Sequence, residues 1–325
     1  MKKRFLWGGL CLLLILSIGL IFKFNRDNNS SDMRVIRVAE VAHSIFYAPF
    51  YVAIENGYFA DVNIEIDLIL TPGAHNVTAA VLSGDVQIGF CGPEASIYVY
   101  NEGVRDPVQT FAGLTKRDGQ FIVSRIAIDN FEMSDLIGKE VVAGRAGGMP
   151  IINFKTALRN TNTHGVIVND TVDFANLTSA FLAGQGDFVN LFEPAATRLE
   201  NEGLGFVVGS IGHYAGEVPY TAFNALQSFI ESHPDVIDDF RTAIQRGLDF
   251  VHNNNAEAIA RAVRPQFIDT TLEDLIIIVQ RHIDADSWQE TTYISEQSFR
   301  NLEDMMIEAA LIDTRVPFNH LIINE

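Results

Sequence analysis

AVLSGDVQIGFCGPEA (residues 80–95) and AFLAGQGDFVNLFEPAA (residues 180–196) are two versions of one pattern. In each, an apolar helical segment is stopped by a glycine, Gly84 or Gly184, and an aspartate follows, Asp85 or Asp187. A short apolar strand comes next, then a loop carrying Pro and Glu ahead of another helical segment. Glycine after a helix is the commonest stop signal, so one such match alone would mean little. The surroundings match too, because VIRVAEV (35–41) precedes the first unit as KEVVAGR (139–145) precedes the second. RVIRVAEV (34–41) and NIEIDLIL (63–70) read as strands, FYVAIENGYF (50–59) as a helix ending near Gly57, and NVTAAVLSG (76–84) as another helix. Strands alternating with helices predict parallel βαβ units, and hence two similar α/β lobes. In open parallel sheets, ligands bind at the loops beyond the carboxyl ends of the strands. Two lobes facing each other through such loops make a cleft, the geometry of a clamp for a small molecule.

The stretch VVAGRAGGMPIINF (141–154) supplies one of those loops. EVVAG reads as a strand and RAGGM as its loop, with Pro150 at the first helical position, where a missing N–H costs nothing. Gly147 and Gly148 allow close backbone approach, and the amides at the helix start favour an anionic or carbonyl oxygen. The phosphate-loop pattern G-x-x-x-x-G-K-[ST] fails, because Met149 stands five residues after Gly144 with no Lys-Ser/Thr after it at that spacing, and G-x-G-x-x-G does not match. Both nucleotide hydrolysis and a bound nicotinamide cofactor are therefore excluded as readings.

Lys2, Lys3 and Arg4 precede an uncharged stretch, Phe5 to Phe22, that reads as a secretory signal or membrane anchor, followed by a polar tether, KFNRDNNSSD. Cys11 raises lipid attachment, but Leu10 stands where bacterial lipoproteins put Gly or Ala, so a cysteine packed in the apolar segment is preferred. The first 30 residues hold five basic side chains (Lys2, Lys3, Arg4, Lys23, Arg26) and one acidic, Asp27, so the remainder carries −22 against −18 for the whole chain. That argues against nucleic acid as a partner. Only Cys91 lies beyond the apolar segment, so no intramolecular disulfide is available there. The eight histidines show neither H-x-x-x-H nor H-E-x-x-H spacing, so no metal site is expected.

VAHSIFYAPFYVAIENGYF, AAVLSGDVQIGFCGPEASIY, DLIGKEVVAGRAGGMP, FLAGQGDFVNLFEPAA and GEVPYTAF together resemble the periplasmic-binding-protein branch that includes receptors for aliphatic sulfonates and for thiamine pyrimidine precursors, which feed ABC importers. The resemblance spans about residues 34–260. It implies an α/β, type II periplasmic-binding-protein fold with two similar lobes around a cleft and additional C-terminal helices. It also implies an exported protein that works with an ABC transporter permease, without a cofactor. The expected organisation is residues 1–32 as signal or anchor plus tether, 33–118 as the first part of lobe 1, 119–220 as lobe 2, and 221–325 as the return to lobe 1 and the C-terminal helices. Crossovers are expected near Lys116 to Val123 and near Gly216 to Phe223. A monomer is the default.

In the C-terminal third, Val236, Ile237, Phe240, Ile244, Leu248 and Val251 recur at three- and four-residue spacing after Pro234, and Thr271 and Ser295 open two further helices. Packing is the expected role of all three.

Candidate ligand contacts lie at the strand ends. Lobe 1 offers His43, Phe46 and Tyr47, then Gly73 and His75, then Cys91, Gly92 and Glu94. Lobe 2 offers Arg145, Gly147, Gly148 and Met149, then Asn169, then Phe192 and Glu193, and Tyr220 stands at the return crossover. Phe46, Tyr47, Phe192 and Tyr220 are placed to sandwich a planar ring, and Glu94 and Glu193 to accept hydrogen bonds from its amino groups. Capping of the following helix is the competing role for both glutamates. An anion would need concentrated positive charge, for which only Arg145, with Lys116 and Arg117, is available. The expected ligand is therefore a thiamine pyrimidine precursor or related heterocycle, with sulfonate, taurine or nitrate-like anions as the alternative. Relatives of this fold include a pyrimidine synthase that looks dependent on a cysteine-rich cluster and a histidine; lone Cys91 does not match it, so no enzymatic role is expected.

Overall fold

The computed structural model describes residues 33–324; the apolar segment, Cys11 and the whole tether lie outside the described residues. Strands β1 (Arg34–Glu40), β2 (Ile64–Leu70), β3 (Ile88–Cys91) and β4 (Val108–Thr115) belong to one sheet. Strands β5 (Phe121–Ser124), β6 (Glu140–Val142), β7 (Ile167–Asn169), β8 (Phe188–Leu191) and β9 (Phe206–Ser210) form a second. The chain then returns to the first sheet as β10 (Thr221–Leu226).

The two sheets have one plan. The first runs β2-β1-β3-β10-β4 and the second β7-β6-β8-β5-β9. In each, four of the five strands run one way, three of them paired side by side in parallel, and the remaining one, β10 or β5, is antiparallel to both of its neighbours. The parallel βαβ units expected from the sequence are present. The antiparallel strands grow out of the two crossovers, and their direction has a simple cause. A segment arriving from the opposite lobe enters at the carboxyl ends of the parallel strands, so it runs against them. The crossovers also pair with each other through Val218 N to Lys116 O (3.0 Å) and Tyr220 N to Thr115 O (3.0 Å).

Helices Ala74–Ser83 and Glu94–Asn101 flank β3 as Leu177–Leu182 and Ala195–Asn201 flank β8. Gly84 and Gly184 both stop their helices with positive φ, 78° and 93°, where a Cβ would strain the backbone. Helix Met149–Asn160 starts one residue earlier than expected, with Gly148 as N-cap and Pro150 in its second position. Helix Pro234–Asn253 buries all six predicted apolar positions. Thr271 accepts from Asp274 N and Ser295 from Ser298 N, capping helices Leu272–Asp284 and Glu296–Glu308. No helix among the described residues is long and apolar enough to cross a membrane.

Candidate functional site

The two lobes meet over the cleft. Phe46, wholly buried at the head of the lobe 1 helix Ala48–Glu55, has its ring centroid 5.7 Å from Phe192 of lobe 2 and 5.6 Å from Tyr220 of the return crossover. Phe192 is in turn 6.4 Å from Tyr220 and 5.5 Å from Phe174. Gly119, in the outgoing crossover, lies under the Phe46 ring; a Cβ there would stand 2.4 Å from Cδ2, so only glycine admits this approach. Further contacts join the lobes: Ser44 Oγ donates to Glu193 O (2.8 Å) and Tyr98 OH to Gly147 O (3.1 Å). At Gly92 a Cβ would fall 1.9 Å from Glu94 Oε2 and 2.7 Å from Met149 Cγ, so the lobe 1 carboxylate and the start of the lobe 2 helix converge on one point.

Around these rings is a set of buried polar atoms without a hydrogen-bond partner. They are Glu94 Oε2, Gln120 Oε1, Asn153 Oδ1 and both side-chain polar atoms of Asn190, together with Asp118 Oδ2 and Tyr220 OH, which face each other without meeting strict hydrogen-bond geometry. An unsatisfied buried polar group costs on the order of 1–3 kcal/mol, and native proteins carry few. Here they are grouped. Asp118 Oδ1 accepts from Gln120 N (2.7 Å), and Gln120 Nε2 donates to Asn190 O (3.4 Å), which links the crossover to the central strand of lobe 2. Asn190 shares a face of β8 with Phe188, which packs in the same core as Met149, Ile152 and Phe154, and Asn153 opens the second turn of that helix.

The electrostatics of this set are acidic. Burial pushes the Glu94 carboxyl up to about 7, against the amides of Glu94, Ala95 and Met149, which favour its charged form. Burial likewise raises Asp118 well above the usual carboxylate range and Tyr220 above the usual phenol range, with the Asp118 and Glu94 charges adding to the rise at Tyr220. The basic groups that could balance them are engaged elsewhere. Arg145 is exposed and pairs with Asp173 (3.0 Å), and Lys116 pairs with Asp286 (2.9 Å) and Glu290 (2.5 Å). Arg281 reaches across from helix Leu272–Asp284 to Glu193 (2.8 Å) and Glu200.

The residues singled out in the sequence divide accordingly. Phe46, Phe192 and Tyr220 come together, and Gly92, Glu94 and Met149 form a second group, near enough for the Glu94 charge to act on Tyr220, with Gly147 and Gly148 at the start of the lobe 2 helix. Tyr47 adjoins Phe46 at 5.3 Å, but its ring packs edge-on to Phe90 in the lobe 1 core. Glu193 is a cap and strut, as its competing role required: its carboxylate accepts from Thr197 N and Oγ1 (both 2.9 Å) and from Arg281. Helix Leu272–Asp284 consequently does more than pack, since it ties the C-terminal region to lobe 2. His43 is turned toward Glu40 (2.9 Å), the Gln266 carbonyl (2.9 Å) and the Phe267 ring. Cys91 lies in an apolar cluster with Val77, Val81 and Ala95, where burial pushes its thiol far up. Asn169 is occupied by Glu140 (2.9 Å) and Thr171, while His75 is exposed beside Gly73. No group of histidine, cysteine and acidic side chains suited to a metal ion occurs among the described residues.

The family model described as NMT1/THI5 like matches residues 45–258. The chain belongs to the NMT1/THI5-like family. YtlA of Bacillus subtilis (strain 168), named as a candidate binding protein, is 34% identical over 98% of this chain and 96% of its own. Among solved structures, the alkanesulfonate-binding protein SsuA from Xanthomonas axonopodis pv. citri, bound to MOPS, shares the fold at a TM-score of 0.67 and 14% identity, covering 91% of this chain and 100% of that one. The aliphatic sulphonate-binding SsuA from Escherichia coli gives 0.66 at 14% identity, covering 88% and 96%. At these identities the likeness establishes the periplasmic-binding-protein fold.

In this NMT1/THI5-like chain, four polar groups of the cleft went unread in the sequence: Asp118, Gln120, Asn153 and Asn190. The first two stand in a crossover with no strand or helix pattern of its own. Asn153 and Asn190 interrupt otherwise apolar runs, IINF and FVNLF, at positions whose neighbours are core. A buried asparagine in such a run is the signal that was available.

Proposed function

We propose that this protein is the extracytoplasmic solute-binding component of an ABC importer and that its ligand is a small planar heterocycle bearing N–H donors, a thiamine pyrimidine precursor or a close analogue. The observation that carries the choice of ligand is the charge of the cleft. Two carboxyl groups are buried there, Glu94 with an oxygen that has no partner and Asp118 with an oxygen that faces only Tyr220 OH, while Lys116 and Arg145 are paired outward. A ligand presenting amino groups to those oxygens relieves the cost of their burial. The basic side chains that a sulfonate would need, Arg145 and Lys116, are already paired with carboxylates.

The rings of Phe46, Phe192 and Tyr220 flank that position and suit a flat π-system. Capture then runs through opening of the lobes about the paired crossovers, entry of the ring between Phe46 and Phe192, and closure, which buries ring and carboxyls together. The closed form is the one that docks on the permease. The sequence likeness to YtlA, named as a binding protein, supports the same class of function.

Calorimetric titration tests the reading. An aminohydroxymethylpyrimidine should bind and ethanesulfonate should not; at about 100 times Kd the pyrimidine should stabilise the fold by about 2.7 kcal/mol. Tight binding of the sulfonate with none of the pyrimidine would overturn the ligand assignment.

A further inference from the structure

We propose that Glu94 sets the charge that the cleft accepts: its carboxylate, delivered from lobe 1, holds the place of an oxyanion at the amino end of the lobe 2 helix Met149–Asn160. This goes beyond the family assignment and rests on the reading above only in taking the cleft as the ligand site.

The helix has 12 residues, and its N-cap, Gly148, offers no side chain to its first amides. Those amides, with the positive end of the helix dipole, seek an acceptor from outside the helix. In many proteins such an end binds an anion. Here an acceptor arrives from the opposite lobe. Glu94 is buried, its Oε2 closes on the same point as the Met149 side chain, and the Met149 amide favours its charged form. Gly92 makes the approach possible, since any Cβ at that position would overlap the carboxylate.

Two independent features mark the helix end as ligand-facing. Glu94 Oε2 has no partner, and at the start of the second turn the wholly buried Asn153 spends its Nδ2 on Met149 O (3.0 Å) while its Oδ1 has none. The basic side chains nearest in sequence, Arg145 and Lys155, pair with Asp173 and Asp170 at the surface. An incoming sulfonate or nitrate therefore meets a carboxyl group, charged above about pH 7, where the fold would otherwise offer it amides. A donor-bearing ligand meets an acceptor held in place by those same amides. One carboxylate thus converts an anion site into a site for N–H groups.

The test is a gain of function. Glu94→Gln keeps the shape and removes the charge, and Glu94→Ala removes both. With the full-length chain in detergent, calorimetric titration with ethanesulfonate should show affinity at least tenfold higher for both variants than for wild type, and Glu94→Ala should show the larger gain. Melting curves by circular dichroism check that each variant is folded; if Glu94→Ala is not, the near-isosteric Glu94→Gln decides. Equal sulfonate affinity in wild type and the folded variants, whether strong or undetectable, would overturn the inference. Failure of the pyrimidine assignment reads out separately. Wild type would then take up no pyrimidine, while the variants would still gain sulfonate.

Discussion

Replacing Glu94 by glutamine should change how stability depends on pH, with a sign and size that follow from its burial. The carboxyl rises from an ordinary 4.5 to about 7 in the folded chain, chiefly because burial penalises its charged form. A carboxyl raised in this way binds its proton more tightly folded than unfolded. Its favourable contribution is therefore present below pH 4.5 and is lost as pH rises toward 7. One pKa unit corresponds to about 1.36 kcal/mol, so the whole shift amounts to about 3.4 kcal/mol. Between pH 5 and pH 8, integration of the linkage relation gives a loss of about 2.5 kcal/mol. Glutamine does not titrate and keeps every other group in place, so Asp118, His43, Glu290 and Glu303 cancel in the comparison. The assay is urea unfolding of both proteins at several pH values, followed by tryptophan fluorescence. The difference, variant minus wild type, should move in favour of the variant by about 2.5 kcal/mol from pH 5 to pH 8. A difference that stays constant within about 0.5 kcal/mol would mean that Glu94 is not held in a dry, closed cleft, and the interlobe contact at Met149 would be refuted with it.

Three further predictions concern other parts of the site. Glu193→Ala should destabilise the protein by about 3 kcal/mol, because it strips a buried carboxylate from Arg281 and from the first turn of helix Ala195–Asn201; a cost below about 0.5 kcal/mol in urea unfolding would show that the strut is dispensable. Gly119→Ala should cost about 1–3 kcal/mol, since the added methyl overlaps the Phe46 ring, and unchanged unfolding and ligand affinity would contradict the packing of the crossover under Phe46. Cys91 should react with a thiol reagent at least about 100-fold more slowly in the folded chain than in urea, because burial both covers the thiol and raises its pKa. Equal rates would place Cys91 at the surface.

The repeated unit around Gly84 and Gly184 made the two-lobed plan legible in the sequence, because helix stops and apolar strands are local signals that survive without tertiary information. The amphipathic helix after Pro234 was legible for the same reason. What local pattern does not encode is partnership across the cleft. Glu94 and Glu193 occupy matching loops and precede matching helices, yet one carboxylate stays unpaired at an oxygen while the other is consumed by Arg281, 88 positions away. The order of the pair differs, Pro93-Glu94 against Glu193-Pro194, but neither order says which carboxylate will meet an arginine. The antiparallel direction of β5 and β10 was likewise set by the path of the chain between lobes rather than by composition. The aromatic group was read from residue type and position, and Phe46, Phe192 and Tyr220 do converge. Tyr47, one residue from Phe46, falls on the core side because adjacent residues of one short helical turn point in different directions.

The central claim is that a ring with amino groups lies between the two lobes, with Phe46 and Phe192 on its faces and Glu94 at its edge. A crystal structure of the protein with an aminohydroxymethylpyrimidine tests it most directly. The ring should lie between Phe46 and Phe192, with an amino nitrogen within hydrogen-bond distance of Glu94. A pyrimidine bound anywhere else, such as the surface groove of about 770 Å³ bordered by Tyr100, Arg105 and His320, with Glu94 still against Met149, would contradict it.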